Sequence, residues 1–306
     1  MLLPHWEQEL LQHINWILEP FEIMHYLHKQ GSSEDFRLLI VSDGSSIDTT
    51  AMSFGLVIGS SSNQILLEAM GPAWGQPSSH RAECTGCLAG ALIIQHLSKF
   101  TMQQFPENLQ FKILSDNQGM IKSLTQRRTY SHPYPNSTLN PDWELLEEIH
   151  HTYQSVTTTG LSFEWIRGHQ DRTTLASLSV EAKFNIRADH LAGDYCVMVE
   201  ARVRPQSPIM TQTKCVLYLQ EKALHGHYES ALRRSVAEPE FFQYLQKRHG
   251  WSSTTTTLID WELFRKAARN FPSTDIHLLK LVYDKLPTNN LIVTFAPNPR
   301  PSNISA

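Results

Sequence analysis

The sequence predicts an α/β fold: a mixed five-stranded sheet flanked by helices, with a helical N-terminal segment and a mostly helical C-terminal extension. Three strand-like runs come first, and only short Gly- and Ser-rich gaps separate them, which favours antiparallel hairpins. After these runs, helical and strand-like segments alternate, which is typical of a sheet whose faces are covered by helices. The order along the chain is therefore β-β-β-α-β-α-α-β-α.

Each element of the central region follows from a local pattern of apolar residues and turn residues. The strands are expected at 36–42, 51–59, 64–69, 109–114 and 161–166. The helices are expected at 79–100, 118–126, 142–153 and 179–200. The region 127–141 contains three prolines and is expected to be a loop.

The two flanks differ from the central region. Residues 5–29 are expected to be helical, because their apolar residues recur at spacings of three and four. Beyond Pro205 and Pro208, amphipathic stretches predict a mostly helical region, with helices at 215–224, 241–247 and 260–270. We therefore expect four parts: an N-terminal helical connection segment (1–35), an α/β domain (36–200), a linker (201–209) and a basic C-terminal region (210–306).

Charge is distributed unevenly along the 306 residues, whose formal net charge is −4. Residues 1–200 carry 12 Lys and Arg against 22 Asp and Glu, and residues 201–306 carry 14 against 8. Such an asymmetry between halves is a sign of nucleic-acid contact. No apolar run approaches the ~18 residues that a membrane span needs, and the N-terminus lacks a secretory pattern.

The four cysteines are too few for a disulfide framework, so we expect a reducing compartment and an intracellular protein, cytoplasmic or nuclear. Cys84 and Cys87 form a C-x-x-C pair inside a helical pattern, and no second pair follows, so buried helix-facing cysteines are expected. His225, His227 and His249 have no cysteine partners nearby, and no zinc site is expected there.

Four acids lie at the ends or starts of specific elements: Asp43, Glu83, Asp116 and Asp189. Each alone has an ordinary interpretation as a turn residue, a helix-dipole partner, a helix cap or a solvated helix residue. Together they are expected to converge in the crevice at the sheet edge, where they would repel one another unless a cation compensates. All-oxygen ligands favour Mg²⁺ or Mn²⁺, and two such ions about 4 Å apart can activate a water for phosphodiester hydrolysis.

Five motifs follow one another in the sequence: Ser42-Asp43-Gly44-Ser45, His80-Arg81-Ala82-Glu83, Leu114-Ser115-Asp116-Asn117, Trp165-Ile166-Arg167-Gly168-His169 and Asn185-x-x-Ala188-Asp189-x-Leu191-Ala192. In this order they resemble the type 1 ribonuclease H domain, especially that of retroelement (reverse-transcriptase-like) polyproteins. The resemblance covers about half of the chain and implies a ribonuclease H-like fold for its α/β domain.

The resemblance also implies an activity: endonucleolytic hydrolysis of the RNA strand of RNA–DNA hybrids. It implies two Mg²⁺ ions, with Mn²⁺ as the alternative, held by the four acids named above. His169 would assist proton transfer or product release. The implied partners are the RNA–DNA hybrid and other polyprotein domains such as a reverse transcriptase.

Substrate contacts can be expected by the same analogy. Gly44, Ser45 and Asn117, together with Glu83, are candidates for recognising the ribose 2′-hydroxyl that distinguishes RNA from DNA. The candidates for phosphate contacts are Arg127, Arg128 and Arg167.

Asp194 is a rival for Asp189, five residues further along the same expected helix. Five residues turn a helix by about 140°, so the two side chains cannot face one site. The neighbouring motif residues favour Asp189.

Two further interpretations remain open. One is a different nuclease or transferase of the same superfamily (a transposase, an integrase or a 3′–5′ exonuclease), although Ser42-Asp43-Gly44-Ser45 lacks the Asp-x-Glu of proofreading exonucleases. The other is a decayed or domesticated fragment that binds nucleic acid without cleaving it. Residues 5–29 would be the end of a connection segment after a reverse transcriptase, and no polymerase acid pair is present.

Overall fold

The computed structural model describes residues 3–31, 33, 36–47, 51–132, 135–156, 160–170, 178–198, 207–213, 216–219, 222–226, 228–261 and 263. The chain divides into two compact units, Met1–Arg233 and Arg234–Ala306. Among the described residues, no helix combines the length and the apolar character that crossing a membrane requires.

The first unit is built on a six-stranded mixed sheet. Its strands are β1 (His13–Trp16), β2 (Arg37–Ile47), β3 (Ala51–Ser60), β4 (Ile65–Pro72), β5 (Gln110–Ser115) and β6 (Leu161–Trp165). Their order across the sheet is β1-β4-β3-β2-β5-β6. The strands β2, β3 and β4 pair as antiparallel hairpins, whereas β5 and β6 run parallel to β2. This arrangement confirms the predicted mixed five-stranded sheet and adds one strand at its edge.

The added strand corrects the sequence prediction for residues 5–29, which are not helical throughout. Only α1 (His5–Leu10) and α2 (Pro20–Gln30) are helices, and β1 between them pairs antiparallel with β4. The helix α2 begins at a proline, and the side chain of Glu22 accepts a hydrogen bond from the backbone N–H of Glu19 in a capping box. Pairing with the open edge of β4 therefore overrides the helical spacing of apolar residues at His13–Trp16.

Helices cover both faces of the sheet. They are α3 (Ser79–Thr101), α4 (Gln118–Arg127), α5 (Trp143–Val156) and α6 (Val180–Cys196). Along β2, Leu38 and Ile40 pack in the core cluster that contains α3 and α5, and Leu39 and Val41 pack in the cluster that contains α6. This alternation is the period-two pattern of a strand buried on both faces.

Close packing fixes α6 and α3 against the sheet. A β-carbon at Gly55 of β3 would overlap the carbonyl oxygen of Ala188 in α6, so only glycine allows this approach. Ser78 caps α3 by accepting a hydrogen bond from the N–H of Arg81. Cys84 and Cys87 are fully buried in α3, as the sequence predicted.

Among the described residues after position 200, the clearest departure from the prediction lies at 215–224. Residues 215–224 were expected to be helical, but β7 (Leu217–Leu219) and β8 (Lys222–Leu224) form an antiparallel hairpin. The helices α7 (Tyr228–His249) and α8 (Ser253–Leu258) follow, and α7 includes the helix expected at 241–247. In the second unit, the Trp261 ring contacts those of Phe241 and Phe242. Most of the predicted helix at 260–270 and residues 201–206 of the predicted linker lie outside the described residues.

Candidate metal centre and active site

Asp43, inside β2, and Asp116, directly after the end of β5, occupy equivalent positions along two adjacent parallel strands. Val41 of β2 pairs with Leu114 of β5, and each aspartate lies two residues further along its own strand direction. Because side chains alternate with a period of two, both carboxylates project on the same side at the same end of the sheet. Glu83 reaches this point from the second turn of α3. The neighbouring strands β2 and β5 and the start of α3 therefore bring three acids from distant parts of the sequence together.

The three carboxylates form a compact cluster. One oxygen from each of Asp43, Glu83 and Asp116 lies within 4.8 Å of the others, which is close enough for all three to bind one cation. Asp43 and Glu83 are buried, at 6% and 4% exposure, and Asp116 is partly exposed, so the cluster opens to solvent on one side. A set of oxygen ligands alone is the chemistry that Mg²⁺ or Mn²⁺ prefers. The residues present therefore fit a divalent metal.

The electrostatics of the cluster indicate the same requirement. Burial, together with the negative charges of Asp116 and Asp189, raises the pKa of Asp43 to about 7. Burial, together with Asp43 and Asp116, also raises the pKa of Glu83 well above its ordinary value. Carboxylates gathered in a buried site resist ionisation unless a cation offsets their repulsion. A bound divalent ion would return both groups to their charged, metal-binding form.

Asp189, on α6, is near enough to Asp43 for its charge to raise the pKa of Asp43, but it lies outside the group of three whose oxygens are within 4.8 Å. Asp194 is exposed, and its charge acts on Arg187 instead. Of the two rival acids on this helix, Asp189 is therefore the one that faces the cluster.

Ser115 holds Glu83 in place, a role that the sequence motifs did not indicate. Its buried hydroxyl donates a hydrogen bond to Glu83 Oε2 at 2.8 Å and accepts one from the backbone N–H of Asn117 at 3.0 Å. A hydroxyl has only one proton, and the Asn117 N–H occupies an acceptor position, so the proton points to Glu83. The only sequence signal was a hydroxyl residue directly before Asp116.

The last residue of β6 and the segment after it support Asp116. The indole Nε1 of Trp165 donates to the carbonyl oxygen of Asp116 at 2.9 Å. The backbone N–H of Ile166 donates to the carbonyl oxygen of Ser115 at 3.1 Å. Gly168 packs against the Asp116 carboxylate, where a β-carbon would overlap Oδ2. His169 follows, exposed and with φ at +50°. Residues 171–177 lie outside the described residues, and a proton-transfer role for His169 stays a prediction.

The predicted sugar-contacting residues follow Asp43 and Asp116 directly in the sequence. The backbone N–H of Gly44 donates to Asp43 Oδ1 at 2.7 Å, and Ser45 is partly exposed beside it on β2. The side-chain oxygen of Asn117 caps α4 by accepting from the N–H of Met120, which fixes the orientation of its amide group.

Among the three predicted phosphate-binding arginines, Arg127 does not fit that role. It is 2% exposed, and its guanidinium donates to both carboxylate oxygens of Glu147 and to the carbonyl oxygen of Tyr130. Arg127 therefore joins α4 to α5, and the prediction that it contacts phosphate is wrong. Arg128 and Arg167 are exposed, and Arg128 donates to the carbonyl oxygen of Leu161.

No family model matches the sequence, and no curated protein matches it. Solved structures similar to this chain include ribonuclease H domains. An N-terminal RNase H domain from Mycobacterium tuberculosis is 18% identical, with 52% of this chain and 91% of that chain covered and a TM-score of 0.33. LC11-RNase H1, solved with an RNA/DNA hybrid, is 16% identical, with 52% and 95% covered and a TM-score of 0.37. The prototype foamy virus RNase H domain is 17% identical, with 53% and 95% covered and a TM-score of 0.36.

Proposed function

We propose that this chain hydrolyses the RNA strand of RNA–DNA hybrids by internal cleavage, leaving a 3′-hydroxyl and a 5′-phosphate. The observation that carries this proposal is the convergence of Asp43, Glu83 and Asp116 within 4.8 Å, with Asp189 near enough for its charge to raise the pKa of Asp43. The five motifs of the family occur in order in the sequence and supply these residues.

In this proposal the four acids hold two Mg²⁺ ions, or Mn²⁺ in their place. When bound, the ions lower the pKa of a water and stabilise the charge that develops on the leaving oxygen. The protein's own residues position these groups: Ser115 orients Glu83, and Trp165 and Gly168 fix the position of Asp116. His169, exposed beside Gly168, accepts or donates a proton at the open side of the site.

Substrate recognition is assigned to residues at the rim. Gly44, Ser45 and Asn117 follow the cluster acids in the sequence, and in this proposal they would contact a ribose 2′-hydroxyl of the cleaved strand. The exposed guanidinium groups of Arg128 and Arg167 contact phosphates, which position the hybrid without reading its sequence.

Further affinity for the hybrid comes from the basic C-terminal part, whose net charge is +6 over residues 201–306. A deletion of residues 205–306 would not test this point, because Met210, 2% exposed, belongs to the main core. Removing positive charges from α7 is a cleaner test of the C-terminal contribution to hybrid binding. Lys247→Gln with Arg248→Gln should weaken hybrid binding and flatten its salt dependence, whereas Glu240→Gln on the same helix should not.

A retroelement origin is part of the proposal. The solved foamy virus structures to which this chain is similar include a protease–reverse transcriptase in complex with an RNA/DNA hybrid. That polypeptide is longer than the matched region, which covers 21% of it. We infer that a reverse transcriptase is the partner domain of this chain.

The test is cleavage of a labelled RNA–DNA hybrid in Mg²⁺ or Mn²⁺, with single-stranded RNA, duplex RNA and duplex DNA as comparison substrates. We expect cleavage of the hybrid alone, its loss with a chelator, and its loss in Asp116→Asn. Asp194→Asn is the matched control, because it makes the same chemical change at an exposed acid outside the cluster.

Three outcomes would contradict the proposal. Cleavage of duplex DNA would favour another nuclease of the superfamily. Binding of the hybrid without cleavage in either metal would favour a decayed binding module. Equal loss of activity in Asp116→Asn and Asp194→Asn would mean that the acid cluster is not the reaction centre.

A further inference from the structure

The chain that follows α6 returns to the α/β domain. Met210 is buried in the main core cluster, and the N–H of Gln212 donates to Glu148 Oε2 of α5 at 2.8 Å. His225, directly after the β7–β8 hairpin, is 5% exposed, and its carbonyl oxygen accepts from the N–H of Asp142 at 2.6 Å. The segments 207–213 and 222–226, which we call the return segment, therefore pack against α5 as part of the first unit.

The return segment contacts a buried arginine near the start of α3. Arg81 is 1% exposed and donates to Asp142 Oδ1 at 2.5 Å, to Glu144 Oε1 at 2.8 Å and to the carbonyl oxygen of Trp74. Its remaining terminal nitrogen donates to Ser207 Oγ of the return segment at 2.7 Å. Each nitrogen of the Arg81 guanidinium therefore donates a hydrogen bond, and the return segment supplies one of the acceptors.

His225 acts on the same arginine through Glu144. The Nδ1 atom of His225 lies 2.5 Å from Glu144 Oε1, the oxygen that also accepts from Arg81. Burial alone would raise the pKa of Glu144, but the hydrogen bond with His225 and the charge of Arg81 outweigh it and lower that pKa to about 2. Glu144 is thus a charged, buried acceptor shared between the return segment and α3.

Because Arg81 lies close to Glu83 in α3, this hydrogen-bond network also affects the acid cluster. Arg81 precedes Glu83 by two residues in the first turns of α3, and the network attaches it to α5 and to the return segment. A buried guanidinium that lost an acceptor would leave an uncompensated charge, so the network resists any shift of this helix end. The metal-binding carboxylate of Glu83 moves with that helix end.

We propose that His225 and Ser207 are positioning residues for Glu83: through Glu144 and Arg81 they hold the start of α3 where Glu83 meets Asp43 and Asp116. This inference rests on the proposed metal site, and it makes the return segment part of the catalytic unit. Removing the residues after α6 would then impair metal binding as well as hybrid affinity.

The test compares His225→Leu, His225→Asn and Ser207→Ala in the full chain. Asn places an amide N–H at the position of His225 Nδ1, so His225→Asn retains the hydrogen bond to Glu144. It loses no other hydrogen bond of the ring, because His225 Nε2 has no hydrogen-bond partner among the described residues. The matched control is His151→Leu, which removes another histidine–glutamate pair of α5, with Glu147, away from Arg81.

Two readouts need no cleavage. By calorimetric titration with Mn²⁺, His225→Leu should bind the ion about tenfold more weakly, the low end of the effect of outer-shell residues on metal sites. Ser207→Ala should give a smaller loss, and His225→Asn and His151→Leu should stay near the wild-type affinity. By hydrogen exchange, the amides at the start of α3 should lose protection in His225→Leu and retain it in His151→Leu.

Unchanged Mn²⁺ affinity in both His225→Leu and Ser207→Ala would overturn the inference, even if both variants melt at lower temperature. So would an equal loss in His151→Leu. If His225→Leu does not fold, Ser207→Ala decides alone, because it removes a single hydrogen bond to Arg81. If the wild-type chain cleaves no hybrid, the proposed function fails, but the exchange experiment still decides whether the return segment holds α3.

Discussion

Gly168 lies against the carboxylate of Asp116, so closely that a β-carbon at position 168 would overlap Asp116 Oδ2. The loop after β6 and the end of β5 thus meet at a carboxylate oxygen of the acid cluster. Gly168→Ala should displace the Asp116 carboxylate and reduce hybrid cleavage by roughly 10²-fold, the cost of misplacing a catalytic group by about 1 Å.

Gly193→Ala is the control for this prediction, because no atom lies within 4 Å of the β-carbon it would add. Initial rates of cleavage in Mg²⁺, with melting temperatures of both variants, provide the measurement. Wild-type activity in Gly168→Ala would show that Asp116 has room to move, contrary to the structure.

The raised pKa of Asp43 predicts how the stability of the metal-free protein depends on pH. Burial and the neighbouring acids raise this pKa from 3.8 to about 7, so folding favours the protonated form. Its stabilising contribution is fully present below about pH 4 and is lost as the pH rises through about 7, amounting to at most about 4 kcal/mol. Thermal melting at pH 5 and pH 8 should show this decrease.

Added Mg²⁺ and the substitution Asp43→Asn should each remove most of that pH dependence of stability. Mg²⁺ should restore stability at pH 8 more than at pH 5, because the ion binds the ionised carboxylates. Asp43→Asn should stabilise the metal-free protein at pH 8 and abolish most of the response to Mg²⁺. A metal-free protein that is equally stable at both pH values would contradict the assigned burial of this acid.

Ser115→Ala should weaken the site without unfolding the sheet. The change removes the hydrogen bond to Glu83 Oε2 and leaves a buried carboxylate with one fewer donor, a loss of about 1.5–3 kcal/mol. We expect cleavage to require higher Mg²⁺ and to fall about tenfold or more at limiting metal.

Ser115→Thr is the rescue variant, because it keeps the hydroxyl and suits a strand. The Mg²⁺ dependence of the cleavage rate separates the two variants. If Ala and Thr behave alike, the hydroxyl does not orient Glu83, and Ser115 only fills space in the core.

Arg127 and Arg167 should respond differently to the same substitution. Arg127→Gln breaks a buried bidentate pair with Glu147 and should destabilise the fold by about 3 kcal/mol, since His151 remains as a second partner of Glu147. The exposed Arg167 contributes little to stability, so Arg167→Gln should leave the melting temperature unchanged.

Hybrid binding should show the reverse order. Arg167→Gln should raise the KM severalfold and reduce the salt dependence of binding, because the proposed phosphate contact would be lost. Melting curves and KM values at two salt concentrations test both variants. An Arg127→Gln variant that is stable but binds the hybrid poorly would restore the phosphate role that its burial contradicts.

Local patterns predicted most of the α/β domain. The helix α3 was expected at 79–100 and spans Ser79–Thr101, and β5 was expected at 109–114 and spans Gln110–Ser115. Two segments were wrong because their conformation depends on partners distant in sequence or on pairing within a hairpin. Residues His13–Trp16 form a strand only because β4 offers an open edge, and the β7–β8 hairpin lies where an amphipathic helix was expected.

The sequence by itself determined the order of the elements and the acids that they carry, because hydrophobic periodicity and turn residues act within short stretches of chain. Only the tertiary structure decided which side chains meet. It brought Asp43, Glu83 and Asp116 together, distinguished Asp189 from Asp194, and buried Arg127 against Glu147. It also joined Ser115 to Glu83 and His225 to Glu144, since such contacts arise from the packing of elements far apart in the chain.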